Sequence, residues 1–147
     1  MKADSQRLLA AYFPGQQDRY FAPMSIGNTA ASAEAGAALI LSGVKTTTSS
    51  VHWDYADGRI PFVGALSVLL DGTARARGIV ETERVKIMPF GKVDEDFVYA
   101  YGEGDRTLAW WHVEVRAWYQ EAAQQLGLSF TDSTPIICEW FRVIFRL

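Results

Sequence analysis

The chain is poor in the residues that metal and redox chemistry usually require. It has 147 residues with one cysteine, Cys138, and two histidines, His52 and His112. One cysteine excludes an internal disulfide and a thiolate zinc cluster, and neither histidine belongs to an H-E-x-x-H or comparable spacing. No metal is therefore expected. No cofactor motif stands out either: the Gly102-Glu103-Gly104 loop lacks the preceding strand and the third glycine of a dinucleotide fingerprint. Cys138 lies in an apolar run and reads as a buried core thiol, and His112 as a histidine at the edge of a core. Long hydrophobic runs are missing too. Without a stretch that could span a membrane, and without a secretory h-region at the N-terminus, the reading is a soluble cytoplasmic protein. Excess charge is also scarce. Fourteen Lys and Arg against 17 Asp and Glu give a net charge of -3, which argues against broad, charge-driven binding of duplex nucleic acid but leaves room for a local basic patch.

What is abundant is core-forming material. Hydrophobic residues make up 49% of the chain and aromatics 13%, enough for a folded globule and incompatible with disorder. The length predicts one domain over residues 1–147, with 1–25 as an N-terminal helix-and-loop extension and 26–147 as the core. Apolar spacing predicts a short helix over 5–13, stopped by Pro14-Gly15, then a loop over 14–29. An Ala-rich helix follows over 30–42, its small residues suited to close packing. Strands are predicted over 63–70 and 74–87, joined by an Asp71-Gly72-Thr73 hairpin loop, with a bulge or bend at Gly78. Met88-Pro89-Phe90-Gly91 breaks the second strand before a short helix over 93–101 with an acidic start. The strongest helix is expected from an Asp105 N-cap to Leu126, with Leu108, Trp111, His112, Val115, Trp118, Tyr119, Ala122 and Leu126 on one face and Gly127 as C-cap. A last strand covers 136–145.

One stretch concentrates polar chemistry. Gly43-Val44-Lys45-Thr46-Thr47-Thr48-Ser49-Ser50-Val51-His52-Trp53 leaves the Ala-rich helix at a glycine and enters a β-branched, hydroxyl-rich segment. A lysine at such a junction can be desolvated from both sides, which lowers its pKa toward a useful range. Alternation would put Thr46, Thr48, Ser50 and His52 on one strand face. The bland reading of the same residues is an ordinary strand whose lysine reaches water along its stem.

Gly43, Lys45 and Thr48 spell G-x-K-x-x-T directly after a helix ending Leu39-Ile40-Leu41-Ser42. With Trp53, Met88-Pro89-Phe90 followed by Val93-Asp94, the Gly102–Arg106 loop and Ile137-Cys138-Glu139-Trp140-Phe141, the chain resembles the ASCH family from about Ile26 to its end. The resemblance implies an α+β, PUA-like mixed β-barrel flanked by helices, and RNA or a modified nucleoside as partner. Small ASCH enzymes hydrolyse the acetyl amide of N4-acetylcytidine with a lysine, a threonine and a glutamate. By that resemblance Lys45 and Thr48 take the first two places and Glu103 the third, with Thr46, Ser50, Trp53, Arg106 and Thr107 around the substrate. A neutral lysine could activate the threonine hydroxyl while the carboxylate manages protons. Longer ASCH proteins are also associated with RNA cleavage, so amidohydrolase and ribonuclease both stay open. The alternative to either is a non-catalytic RNA-binding module, in which Lys45 contacts a phosphate or base and Glu103 is only an acid at a helix start.

Overall fold

The structure is a computed structural model that describes residues 2–147. Its frame is one mixed five-stranded sheet: β1 (Tyr20–Met24), β2 (Thr47–Ser50), β3 (Leu66–Leu70), β4 (Ala76–Pro89) and β5 (Pro135–Arg146), in the spatial order β1-β3-β4-β5-β2. The expected α+β fold is present, and the sheet is open, with β1 and β2 as its edges, rather than a closed barrel. β4 and β5 form the long central antiparallel pair, with register shifts between Ile79 and Val80 and between Thr82 and Arg84. Such shifts bend a ladder. A further shift, where β3 meets β4, falls beside Gly78, as the sequence suggested. A Cβ on Gly78 would come within 2.6 Å of the Phe145 carbonyl oxygen, so the close approach of β5 requires the glycine.

β1 lies inside the segment read from sequence as a loop over 14–29, and pairs parallel with β3. Parallel pairing leaves no hairpin signal, and the strand contains Pro23. On an edge strand, though, a proline costs little, because its missing N–H can face away from the ladder.

Four helices pack on this frame. α1 (Lys2–Tyr12) brings Leu9 onto β1, β3 and β4. α2 (Ala30–Leu41) starts at a Thr29 capping box, whose side chain accepts from Ser32 N, and lays Ala37 and Ile40 against Leu69, Val80 and Phe141. Its Gly36 makes room for Ile26, whose Cβ would lie 2.3 Å from a side chain there. α3 (Glu95–Tyr101) begins at Asp94, which accepts from Phe97 N, and ends at Gly102.

α4 runs over residues 108–125 as α-helical Leu108–Trp110, π-helical Trp111–Val115 and α-helical Arg116–Gln125. Thr107, not Asp105, is its N-cap: Thr107 accepts from Trp110 N, and Asp105 supports it by accepting from the Thr107 hydroxyl at 2.6 Å. The buried residues of this helix are Trp111, Val115, Tyr119 and Ala123, a spacing of four throughout. A π-turn holds more residues per turn than an α-helix, so this spacing stays on one face. Trp118 and Leu126, placed on the buried face by 3.6-residue spacing, are exposed. Cys138 is buried in the cluster formed by α3, α4, β5 and the loop residues Val51, Phe90 and Phe130.

Candidate functional site

The site grows from the way the chain leaves α2. Gly43 sits at φ +81, and the N–H groups of Val44 and Lys45 both return to the Leu39 carbonyl at 3.1 Å. The next residue is fixed from two sides: Thr46 N donates to Ala100 O at 2.7 Å, and Phe141 N donates to Thr46 O at 3.0 Å. Lys45 is thereby pinned where the ends of α2 and α3 meet β5. The loop after α3 closes over it. Gly102, at φ +74, lies so close that an added Cβ would come 2.7 Å from Val44 O and 2.9 Å from Lys45 Cα.

Lys45 is completely buried, 0% exposed, with three contacts to its ammonium. Nζ donates to the Tyr101 carbonyl at 3.1 Å, stands 3.3 Å from the centre of the Tyr101 ring, and lies 2.7 Å from Glu103 Oε2. Desolvation lowers its pKa from 10.5 to about 8, against the opposing pull of Glu103. The sequence reading of a desolvated lysine at a helix-strand junction holds, and the ammonium does not reach water along its stem.

Glu103 is the outward half of this pair. Its side chain is 27% exposed, yet Oε2 is itself buried and has no aligned hydrogen bond. The contact with Lys45 is a close ion pair, and the exposed part of the Glu103 side chain faces outward.

Glu103 opens into a cleft of about 660 Å³ between α2 and α4. One wall is α2, smooth and small-residued through Ser32, Ala35, Gly36 and Leu39. The floor is the edge strand β2, through Thr48 and Ser49, with Tyr101 and Glu103 beside it. The opposite wall is α4, which presents Trp110, Glu114 and Trp118 above Tyr119. Ser49 Oγ and Tyr119 Oη are 2.7 Å apart, and burial pushes the Tyr101 and Tyr119 hydroxyls up, so both stay protonated.

Of the residues singled out from sequence, Lys45, Glu103 and Thr48 come together at this cleft, with Lys45 behind Glu103. The Thr48 hydroxyl lines the cleft without a hydrogen bond to either. The other five do not line it. Thr46 serves the backbone junction. Ser50 accepts from the Tyr55 hydroxyl at 2.7 Å. Trp53 packs into the core cluster beside Phe130, its Nε1 unpartnered. Arg106, at φ 65, lies 3.6 Å over the Tyr99 ring and donates to Tyr99 O at 2.8 Å. Thr107 caps α4.

Among the cleft residues missed from sequence are Trp110, Glu114 and Trp118. Their spacing of four was visible, but the expected 3.6-residue face put Trp118 in the core. Among the described residues no group of three His, Cys, Asp or Glu could hold a metal ion, and no helix is long and apolar enough to cross a membrane.

Residues 22–145 match the family model described as ASCH domain. No curated protein matches the chain. Among solved structures, the ASCH domain from Lactobacillus crispatus JV V101 is similar at 27% identity with a TM-score of 0.82, covering 96% of this chain and 91% of that one. A protein from Enterococcus faecalis V583, at 24% identity, shares the fold with a TM-score of 0.81, covering 99% of this chain and 95% of its own.

Proposed function

The chain belongs to the ASCH domain family, whose fold is PUA-like, and from that premise we propose that the cleft between α2 and α4 binds a modified nucleoside or a single base of RNA and hydrolyses an acyl amide on it. The observation that carries this reading is the Lys45–Glu103 pair: a buried lysine with a pKa of about 8, joined at 2.7 Å to a carboxylate that faces an aromatic-walled cleft. A buried lysine of lowered pKa paired with a carboxylate at the base of a cleft suits proton transfer near neutral pH.

In this reading Thr48 Oγ attacks the acyl carbon. Its proton passes to Glu103 and from there to neutral Lys45, and the pair returns it to the nitrogen of the departing amine. An ester on Thr48 remains, which water then hydrolyses by the same relay. The pair is a stronger base than an isolated carboxylate because its proton comes to rest on the lysine.

The test is to incubate the protein with N4-acetylcytidine and with short RNA oligomers and to follow the products chromatographically. The reading expects deacylation that survives chelation, rises with pH through about 8, and is lost in Thr48→Val and Glu103→Gln. Cleavage of the RNA oligomers without deacylation would overturn it. So would activity unchanged in both variants. One observation favours a second reading, binding without turnover: Thr48 has no hydrogen bond to Lys45 or Glu103. In that case Thr48→Val leaves ligand affinity nearly unchanged, whereas Glu103→Gln weakens it.

A further inference from the structure

The three α4 residues that sequence reading missed give the cleft a chemical preference. Trp110, Glu114 and Trp118, four residues apart, form one ridge along α4, with a carboxylate between two indoles. Trp110 is held against the loop after α3: a Cβ on Gly104 would come 2.1 Å from its Nε1. Trp118 stands free at 43% exposure. Glu114 is exposed and has no hydrogen-bond or ion-pair partner among the described residues.

The rest of the lining agrees in sign. Asp54 adds a second carboxylate, while the charge of Glu103 is balanced by Lys45 at 2.7 Å. Among the described residues, Lys45 is the cation beside them, and it is sealed beneath Glu103 and presents nothing to a ligand. Arg106, the next candidate, is stacked on Tyr99 and does not line the cleft. A phosphate entering here would meet carboxylates and no accessible cation. A small metal ion is also a poor fit, since no three carboxylates stand where they could share one. Flat aromatic faces flanking a carboxylate suit a larger, weakly hydrated organic cation, which gains from the ring faces and from the charge together.

We propose that the cleft selects a ligand with a positive charge on an organic group, and that the Trp110–Glu114–Trp118 ridge is what selects it. The inference rests on the reading of this cleft as the ligand site, and narrows that ligand to a cationic base, such as an N-alkylated one, in preference to its neutral parent. Selection by the ridge is a property of binding and needs no turnover.

The experiment is a calorimetric titration near pH 6.5 with 3-methylcytidine, cytidine, cytidine 5′-monophosphate and tetramethylammonium, on the native protein, Glu114→Gln and Trp118→Ala. Expected is 3-methylcytidine binding about 10-fold or more tighter than cytidine, with the monophosphate weakest of all. Glu114→Gln should reduce the 10-fold preference to about 2-fold or less while cytidine affinity holds, because only the charge is removed. Trp118→Ala should weaken both nucleosides. Both changes are at exposed positions, and an unchanged melting curve would show that the fold is intact. If tetramethylammonium binds as tightly as 3-methylcytidine, the preferred cation is an alkylammonium and the charge preference stands. Cytidine binding as well as 3-methylcytidine, or the monophosphate binding best, would overturn the inference and leave the nucleoside reading intact. Should none of the four bind, both fall.

Discussion

Glu139 and Lys45 are both buried ionisable groups, and they differ in what their partners face. Glu139 on β5 is the register partner of Thr48 on β2 and is 5% exposed. It accepts a 2.5 Å hydrogen bond from the Thr82 hydroxyl, and burial raises its pKa. The Thr82 hydroxyl, its partner, is itself buried. Lys45 is buried more deeply still, but its partner Glu103 is partly exposed and lines the cleft. Depth of burial alone therefore does not tell the two apart. The difference is whether the partner lies inside the fold or faces a space that a ligand can enter.

The sharpest way to break this contrast is Lys45→Met, which keeps the apolar stem and removes the charge. Turnover should fall by about 100-fold or more, as when one member of a catalytic unit is lost. The unfolding midpoint should hold or rise, because the cost of burying the ammonium disappears and the partly exposed Glu103 can rehydrate. A collapsed melting curve would make Lys45 structural, like Glu139.

The next effect concerns pH. The folded pKa of Lys45, about 8, lies below its ordinary 10.5, so between those values the unfolded chain holds a proton that the folded chain has released. Stability must then rise with pH across that window, from the full burial penalty below about 8 to its relief above 10.5. Denaturant unfolding of the native protein, referenced to Lys45→Met at each pH, should show a gain approaching roughly 3 kcal/mol. A flat difference would mean that Lys45 titrates as if exposed.

On the other side of the contrast, Thr82→Val preserves shape and removes the donor to Glu139. It should cost about 1–3 kcal/mol of stability and leave ligand binding in the cleft unchanged; a loss of binding would join the two groups that the structure separates. The smallest effect belongs to Glu139→Gln. Because burial already favours the uncharged carboxyl, an amide of the same size that can still accept from Thr82 should cost less than about 1 kcal/mol by chemical denaturation.

The helix-to-strand junction at Lys45 was legible because a glycine stop, a lysine and a run of hydroxyl residues carry local signals, and Glu103 was reached through the family motif. What the sequence concealed were non-local features. β1 is held by parallel pairing with a strand more than 40 residues away, to which a proline on an edge is no obstacle. The cleft wall on α4 depends on the π-turn over Trp111–Val115, which carries Trp118 away from the core face that regular helical spacing assigned to it. Trp53, Arg106 and Thr107 carried the right residue types for a binding site, but core packing, stacking on Tyr99 and helix capping claim them. A residue's type shows what it could bind; its competing partners inside the fold decide whether it is free to do so.

Gly102 has a genetic consequence. Every single-base change that alters a glycine codon without ending the chain adds a Cβ, and here that atom would press into the backbone of Val44 and Lys45. The loop would shift from the lysine, and Glu103 with it. Such a missense change is expected to disturb the Lys45–Glu103 contact more than the hydrophobic clusters, whose side chains are not among the atoms the added Cβ meets. In a mutational scan, position 102 should therefore appear tolerant by abundance and intolerant by function.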